Sequence, residues 1–265
     1  MSLTLSVIIV NYNSGNYLKK AIKSVKNFCP VDYEIIVVDN ASRDDSLKQI
    51  EEAKIIKLEN NIGFGPANNL GIKHSRGEYI LFFNPDAELL PGAIEDMMKS
   101  LKGKEIGAVS CLLTYGDGKF QPSFGLFDKG IIGEFFDKFL AHTLLNLYVK
   151  QKKKPFSVKW ISGAVLMTKR KVLDKVGYFD PKFFLYMEDV DLCKRMKKAG
   201  YILMVNPQCR CIHHLGKSSG RGRAFIEAKR SQLYYYKKWK GPFQNWFIRN
   251  YLRFRLGKDF NRIIQ

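Results

Sequence analysis

Residues 5–13 read LSVIIVNYN. A short run of mostly β-branched apolar residues at 5–10 is followed by the polar stretch NYN at 11–13. Two later runs have the same character, EIIVV at 34–38 and YILFF at 79–83. Runs that are apolar on both faces are typical of parallel strands covered by helices on each side. The three runs therefore predict buried strands of one parallel sheet.

Apolar residues at helical spacing fill the intervals between these runs. They predict helices over residues 17–25, 44–53 and 67–74. Strand and helix alternate in this way through roughly the first 110 residues, which predicts an α/β domain built on a mostly parallel sheet.

The second half of the chain has a less regular pattern. It predicts a hairpin turn at 116–118, strands at 160–168, 201–205 and 209–213, and helices at 135–149, 190–199 and 224–239. Asn206 and Pro207 are expected to separate the last two strands. Residues 216–223 are rich in Gly, Ser and Arg and are expected to form a mobile loop.

The charge of the chain is strongly positive and uneven. Its 265 residues carry a net charge of +19, and residues 221–265 contain twelve Lys/Arg, two Asp/Glu and eleven aromatic residues. A basic, aromatic segment of this kind suits an anionic membrane surface or a nucleic acid. Two alternatives stay open: the basic residues form an ordinary solvated surface, and the aromatic residues cover the core.

Five cysteines without framework spacing favour a reduced, cytoplasmic setting. The first residues lack the basic start of a signal peptide. No run reaches the roughly 18–20 apolar residues that span a bilayer, so we expect any membrane contact to be peripheral, on the inner face.

Polar clusters follow the first three predicted strands, at residues 11–13, 39–42 and 84–86. Ligands of open α/β sheets bind outside the carboxyl ends of the strands, so we expect the clusters to share one crevice. Asp86 is an oxygen ligand suited to Mg²⁺ or Mn²⁺, and Asn84 is a candidate neutral ligand. Alternatively, the NPD stretch only forms a turn, or Asp86 caps a helix beginning near Pro91.

A second acidic cluster, EDVD at 188–191, starts a predicted helix. A carboxylate there is a candidate general base, and the preceding apolar stretch at 183–187 is expected to raise its pKa. The alternative is that these acids only cap the helix, whose N-terminus favours negative charge.

Cys209, Cys211 and His213 alternate along a predicted strand and share one face. A zinc site is an alternative here, but the usual second pair of ligands at short spacing is missing. Because Gly216, Ser218 and Ser219 follow His213 closely, a contact of this histidine with a phosphate or a metal at the crevice is the preferred interpretation. The GFG stretch at 63–65 lacks the third glycine of a dinucleotide fingerprint, which argues against a nicotinamide dehydrogenase.

Taken together, these stretches resemble family 2 glycosyltransferases, which have the GT-A fold, and in particular their rhamnosyltransferase-like branch. The resemblance extends over roughly residues 5–240 and rests on the order and spacing of several motifs. The motifs are VIIVNYN (7–13), VVDNAS (37–42), NNIGFG (60–65) with NNLG (68–71), NPDA (84–87), GYFD (177–180) with FF (183–184), EDVDL (188–192) and HHLGKS (213–218).

The resemblance implies a role for individual residues. On the donor side it places Asp39 against the pyrimidine base and gives the remaining donor contacts to Asn11, Asn13, Asn61, Phe64, Asn68 and Asn84. Asp86 would be the metal-bound acid, with His213 contacting the diphosphate or the metal. Asp189 would be the catalytic base. The acceptor would lie against Trp160, Gly163 and Glu188.

The first acid of the family's Asp-x-Asp motif is Asn84 in this chain, and one negative charge fewer predicts a weaker cation site. The resemblance implies a divalent cation and an inverting transfer from a UDP- or dTDP-sugar, with dTDP-L-rhamnose as the first choice. The acceptor would be a lipid-linked saccharide or another cell-surface glycan precursor. Residues 1–220 would form the GT-A domain, and residues 221–265 a helical, membrane-contacting segment.

Two other classes of function are considered. A nucleotidyltransferase should carry a Gly-rich loop with basic residues after the first strand, where this chain reads NYNSGN at 11–16. A nucleic-acid-binding protein would explain the positive charge, but no recognition motif is visible, and we expect no nucleic-acid partner.

Overall fold

The computed structural model describes residues 3–48, 50–131, 133, 143–214 and 221–264. The strands are β1 (Leu5–Asn11), β2 (Tyr33–Asp39), β3 (Lys54–Lys57), β4 (Tyr79–Phe83), β5 (Ala87–Leu89), β6 (Ile106–Thr114), β7 (Phe120–Gln121), β8 (Phe124–Gly125), β9 (Phe156–Val158), β10 (Trp160–Ile161), β11 (Val165–Lys169) and β12 (Ile202–His213). The helices are α1 (Tyr17–Phe28), α2 (Phe64–Lys73), α3 (Ala93–Ser100), α4 (Thr143–Lys150), α5 (Arg170–Val176), α6 (Glu188–Lys198), α7 (Arg221–Trp239), α8 (Pro242–Leu256) and α9 (Phe260–Ile264).

The main sheet has the strand order β3-β2-β1-β4-β11-β6-β12-β5. Strands β3, β2, β1 and β4 are parallel, as are β6 and β12, whereas β11 runs antiparallel to both of its neighbours. Strands β7 and β9 pair with β6 and β12, and β8 and β10 form a separate pair. The mostly parallel α/β architecture predicted from the sequence is therefore confirmed.

Strand β1 is buried along its whole length because both of its faces are covered. Leu5, Val7 and Ile9 pack with α1 in one apolar cluster. Ile8 points to the opposite face and packs in a second cluster with Ile72 of α2. With both faces of the sheet filled, the carboxyl ends of β1, β2 and β4 are left at one edge, where polar residues follow each strand.

The helix predicted over residues 44–53 is wrong. The described residues there form bends and turns, and strand β3 follows them directly. Asp44 accepts hydrogen bonds from the N–H of Gly15 at 2.7 Å and from the hydroxyl of Ser46 at 2.6 Å. Short polar side chains that bond nearby groups in this way compete with helical hydrogen bonds, and here they prevail over the apolar spacing.

Two strand predictions differ from the structure. Residues 160–168 form two strands, β10 and β11, because residues 162–164 leave the extended path between them. Conversely, the stretches at 201–205 and 209–213 belong to one long strand, β12. Its register against β6 shifts between Asn206 and Arg210. A bulge of this kind accommodates a proline without ending the strand.

Two aspartates, one in α6 and one in the loop before it, bind side chains of helix α7 in the C-terminal segment 221–265. Asp191 is fully buried and accepts a hydrogen bond from Trp239 Nε1 at 2.7 Å, and Lys238 Nζ lies 2.7 Å from it. Asp180 accepts from Lys238 Nζ at 2.6 Å and from the Tyr234 hydroxyl at 2.9 Å. The last acid of the EDVD cluster therefore anchors helix α7.

The aromatic residues of this segment divide between two helices. Tyr235 and Tyr236 of α7 are buried in a cluster with Phe183, so the core-covering alternative holds for α7. Five aromatic residues of α8 are exposed. None of the described helices combines the length and apolar composition needed to cross a membrane. The division of the chain at residue 220 stays a prediction.

Two predicted elements fall partly outside the described residues. Of the helix predicted at 135–149, the structure describes α4 from residue 143 onward. Of the loop predicted at 216–223, residues 216–220 lie outside the described residues, and residues 221–223 already belong to α7.

Candidate active site

A cavity of about 370 Å³ opens at the carboxyl ends of β1, β2 and β4. Parts of the chain that are distant in sequence form its walls. They are Val10, Tyr12, Asn40, Asn61, Gly63, Phe64, residues 84–86, residues 162–164, residues 184–186, Glu188, Asp189, His213, Ala224 and Glu227.

Eight of the residues predicted from the sequence line this cavity. They are Asn61, Phe64, Asn84, Asp86, Gly163, Glu188, Asp189 and His213. The two acids to which we assigned separate tasks, Asp86 and Asp189, therefore face one shared space. Asp86 does not cap α3, whose N-terminal cap is Gly92.

Asp189 lies in the first turn of α6 and is held by two backbone groups. Its Oδ2 accepts a hydrogen bond from the Gly163 N–H at 2.8 Å, and its Oδ1 accepts one from the Val190 N–H at 2.7 Å. Burial raises the pKa of the Asp189 carboxyl, and these two bonds oppose the rise. The Val190 N–H belongs to the first turn of α6, whose N-terminal cap is Met187, whereas the bond from Gly163 joins the acid to another wall of the cavity. The two bonds orient the carboxylate, and a raised pKa suits a proton acceptor.

Glu188 is a buried acid beside Asp189. It is 4% exposed, and its Oε2 has no hydrogen-bond partner among the described residues. Burial raises the pKa of the Glu188 carboxyl well above its usual value, and the charge of Asp189 raises it further. The raised pKa favours the neutral carboxyl, a form that has one O–H donor as well as acceptor oxygens.

We expect the Glu188→Gln variant to lose part of the pH dependence of stability. A carboxyl whose pKa is raised by folding binds its proton more tightly in the folded chain. Its stabilising effect is therefore complete below the unfolded pKa of about 4.3 and is lost as the pH rises towards the folded pKa. Glutamine is neutral throughout and removes that loss, while the smaller contribution of Asp189 remains. Thermal unfolding of both proteins between pH 4 and 8 measures the difference, and parallel curves would contradict the assignment.

Gly63 brings two walls of the cavity together. Its φ is +95°, and a β-carbon there would collide with the carbonyl oxygen of Phe184. That same oxygen accepts a hydrogen bond from the Phe64 N–H at 2.8 Å. The loop at 61–64 thus lies directly on the loop that leads into α6, where Tyr186 and Met187 both have φ of +68°.

We expect Gly63→Ala to lower the free energy of unfolding by about 2–4 kcal/mol, from about 1 kcal/mol of backbone strain and about 1–3 kcal/mol of overpacking. Gly118 supplies a matched control, since its φ is +80° and no atom lies within 4 Å of the place that a β-carbon would take. Gly118→Ala should therefore show the strain alone. Denaturant titration of both variants measures the difference, and equal losses would rule out the collision.

Asp86, Asn84 and His213 form an electron-rich corner of the cavity. Gln121 Nε2 donates to the His213 carbonyl at 3.5 Å, which turns Gln121 Oε1 towards His213 Nδ1 at 2.9 Å. With Gln121 in this orientation, the tautomer with the proton on Nδ1 donates to Oε1, and its Nε2 accepts from Asn84 Nδ2 at 3.1 Å. Asp86 Oδ1 lies 3.2 Å from the same Nε2 but has no hydrogen-bond donor among the described residues, and neither has Asn84 Oδ1.

Buried acceptor atoms that converge without donors fit a divalent cation, because its positive charge satisfies several of them at once. Within the described part of the chain, no group of three or more His, Cys, Asp or Glu side chains is placed to hold a metal ion. A cation bound here would therefore take its remaining ligands from a substrate. The weaker cation site predicted from Asn84 stays a prediction.

The zinc alternative finds no support in these contacts. Cys209 and Cys211 are buried next to the Cys111 thiol in the apolar core, whereas His213 faces the cavity. His214 points elsewhere, with its Nε2 2.7 Å from Glu88 Oε1. His213 is therefore the histidine that faces the site.

The ends of β1 and β2 are joined by a polar network beside the cavity. Asn11 Nδ2 donates to Asp39 Oδ1 at 2.8 Å, and the Ser42 N–H donates to Asp39 Oδ2 at 3.2 Å. Asn13 accepts a hydrogen bond at 2.7 Å from the backbone of the loop after β2. Asn11, Asn13 and Asp39 do not line the cavity, and their contacts with a nucleotide stay predictions.

Asn68 and Trp160 also lie outside the cavity lining. Asn68 Nδ2 donates to the Phe64 carbonyl at 3.0 Å and so supports the helix that carries Phe64. Lys129 Nζ lies 4.3 Å from the ring centre of Trp160, whose Nε1 has no hydrogen-bond partner among the described residues. The predicted donor and acceptor contacts of these residues stay predictions.

Among the lining residues to which sequence reasoning gave no role, Asn40 and Glu227 stand out. Asn40 donates to the Gly63 carbonyl at 3.1 Å and accepts from the Ile62 N–H at 2.9 Å, which holds the loop at 61–64 in place. Its position directly after Asp39 was a usable signal. Glu227 reaches the cavity from α7. It is one of only two acids in the basic C-terminal segment, which was also a signal.

Comparison with known proteins agrees with this geometry. A family model described as Glycosyl transferase family 2 matches residues 6–177. The N-acetylglucosaminyl-diphospho-decaprenol L-rhamnosyltransferase of Mycobacterium tuberculosis (strain ATCC 25618 / H37Rv) is 26% identical, over 96% of this chain and 92% of its own. Rhamnosyltransferase WbbL of Escherichia coli (strain K12) is 27% identical, over 78% of this chain and 82% of its own.

A solved structure extends the comparison to the fold. The structure of GalNAc-T7 with UDP, GalNAc and Mn²⁺ aligns with a TM-score of 0.65 at 18% identity, covering 89% of this chain. This chain spans 50% of the length of that protein, so the likeness concerns the fold. The sheet order, the cavity at the strand ends and the match over residues 6–177 agree, and the chain belongs to glycosyl transferase family 2, as a glycosyltransferase with the GT-A fold.

Proposed function

We propose that this glycosyltransferase moves L-rhamnose from dTDP-L-rhamnose, or another sugar from a UDP- or dTDP-sugar, onto an acceptor hydroxyl with inversion at the anomeric carbon. One observation carries the proposal: Asp86 and Asp189 line the same cavity. The names of the two bacterial relatives, both rhamnosyltransferases, support rhamnose as the first choice.

Asp189 takes the proton of the acceptor hydroxyl in the proposed reaction. The acceptor oxygen forms a bond to the anomeric carbon while the bond to the diphosphate oxygen breaks on the opposite side. The hydrogen bonds from Gly163 and Val190 keep the carboxylate pointed at one place during this step. A single displacement needs no covalent sugar–enzyme intermediate and explains inversion.

The diphosphate is proposed to leave towards Asp86, Asn84 and His213, the residues that would hold a Mg²⁺ or Mn²⁺ ion. When bound, the ion supplies positive charge next to the leaving group. The contact of His213 Nδ1 with Gln121 Oε1 orients the ring so that Nε2 faces the same corner. Asn61 and Phe64 line the cavity from the loop at 61–64 and are proposed to contact the donor.

The acceptor is proposed to be a lipid-linked saccharide or another precursor of a cell-surface glycan. The name of the mycobacterial relative describes a decaprenol-linked acceptor. Glu188 and Gly163 would contact the acceptor sugar, with Trp160 nearby. Residues 1–220 are proposed to form the GT-A domain. Residues 221–265 would form an appended segment that adds Glu227 to the acceptor side and keeps the enzyme peripheral on the cytoplasmic face of the membrane.

A binding and turnover assay tests the proposed function. The purified chain is heated with dTDP-rhamnose, other nucleotide sugars or ATP, each with Mn²⁺ or Mg²⁺. Ligand at 100 times its Kd stabilises a fold by about 2.7 kcal/mol, so we expect the largest rise in Tm with the true donor. NMR of the product should show an inverted anomeric configuration. Stabilisation by nucleoside triphosphates alone would contradict the proposal and favour a nucleotidyltransferase.

A further inference from the structure

Helix α8 presents an aromatic stripe to solvent. Its residues follow one another at helical spacings of three and four and therefore share one face. They are Phe243, Trp246, Phe247, Tyr251 and Phe254. The exposed fraction is 91% for Phe254, 70% for Phe243 and 62% for Trp246.

The opposite face of α8 packs against the protein core. Ile248 and Leu252 are buried in a cluster with Tyr235 and Tyr236 of α7. An ordinary surface helix buries its apolar stripe and exposes its polar face. Here a second apolar stripe remains outside the core, and its rings stack on one another, with the Phe247 and Tyr251 planes 3° apart. An exposed apolar patch of this kind marks an interaction site.

The charge of α8 indicates which partner fits. The helix contains Arg249, Arg253 and Arg255, all exposed, and no Asp or Glu. Two α8 helices packed against each other would bring these arginines together without an acid of α8 to pair them. An anionic lipid surface offers phosphates to the arginines and an apolar boundary to the rings. Aromatic side chains are enriched at that depth of a bilayer.

We propose that α8 is the membrane-docking element of this protein, lying in the headgroup region of an anionic bilayer with its aromatic stripe inserted and its arginines on lipid phosphates. Helix α7, which packs against α8, also carries Ala224 and Glu227 into the wall of the cavity. If α8 lies on the membrane, helix α7 therefore links the membrane surface directly to the part of the cavity wall formed by Ala224 and Glu227. The role of this surface in acceptor delivery rests on the proposed function, whereas lipid binding itself does not.

Vesicle sedimentation tests the docking surface. The full-length protein is mixed with vesicles of phosphatidylcholine alone or with phosphatidylglycerol added. We expect binding to the anionic vesicles at low salt, and weaker binding as salt rises. The variant Arg249→Gln/Arg253→Gln should bind them about 30-fold more weakly, since each basic residue near the surface contributes about 1 kcal/mol. Trp246→Ser/Phe254→Ser should bind at least about tenfold more weakly, because the inserted rings are lost.

A matched control replaces an exposed apolar residue outside the stripe, Leu147→Ser in α4. It should bind like the wild type, and all variants should keep the wild-type Tm, because none of the replaced side chains is buried. Wild-type protein that stays in the supernatant of anionic vesicles at low salt would overturn the proposal. So would stripe variants that bind vesicles normally but change the elution volume in size-exclusion chromatography, which would assign the stripe to a second copy. Failure of the proposed function has a different signature, namely vesicle binding without transfer from any nucleotide sugar.

Discussion

Replacing Asp189 by asparagine is expected to lower turnover by about 10²–10⁴-fold, the usual contribution of a general base. Binding of the nucleotide sugar should stay nearly unchanged, because the proposed mechanism assigns Asp189 to the acceptor hydroxyl and assigns Asn84, Asp86 and His213 to the donor diphosphate. The replacement is not structurally silent. Both carboxylate oxygens accept backbone hydrogen bonds, so the asparagine NH₂ must face either the Gly163 or the Val190 N–H. A loss of about 1–3 kcal/mol in stability is expected from that unpaired contact.

The pH dependence of turnover separates the role of Asp189 as a base from its structural role. Burial raises the pKa of the Asp189 carboxyl. Wild-type turnover should therefore fall as the pH drops through that raised pKa, because the protonated acid cannot accept a proton. The residual activity of Asp189→Asn should lack this limb. The exposed Asp174→Asn serves as a control of the same chemistry and should behave as the wild type. Near-normal turnover of Asp189→Asn would remove Asp189 from the mechanism.

The parallel half of the sheet could be predicted because its strands are apolar on both faces. The run at 79–83 coincides with β4, and the run at 5–10 differs from β1 by one residue. Polar residues at the ends of such strands converge by geometry alone. This geometry accounts for Tyr12, Asn40 and Asp86, which follow three different strands and line one cavity. It does not account for Asp189, which lies on helix α6 and whose place beside the donor followed from the family resemblance.

Other features depend on contacts that local patterns do not contain. In the EDVD cluster, Glu188 and Asp189 line the cavity, whereas Asp191 holds helix α7. Helical spacing predicts that Asp191 points to a different side of α6 than Asp189. Only the position of α7 shows that Asp191 binds Trp239 there. The contribution of Glu227 to the cavity wall also depends on where helix α7 packs. The wrongly predicted helix at 44–53 has a local cause, since the hydrogen bonds of Asp44 outweighed an apolar periodicity that is also compatible with turns.

Replacing Asp86 by asparagine is expected to weaken cation-dependent binding of the nucleotide sugar by at least about 10–100-fold. The substitution keeps the shape of the side chain and removes the one formal charge among the converging acceptor atoms of Asn84, Asp86 and His213. Calorimetric titration of the donor with Mn²⁺ or with a chelator measures the effect. The hairpin-tip variant Asp117→Asn, exposed and outside the cavity lining, is the matched control.

The reverse change, Asn84→Asp, makes the prediction stricter. It adds a second carboxylate beside Asp86 and should tighten cation binding by about tenfold, since affinity of such sites follows the charge of their ligands. If Asp86 only shaped the turn between β4 and β5, both variants would bind the donor equally well with and without chelator. If it holds the ion, the two substitutions must shift the cation affinity in opposite directions. A purely structural role of the NPD stretch cannot produce opposite shifts, because neither variant changes the backbone or the size of the side chain.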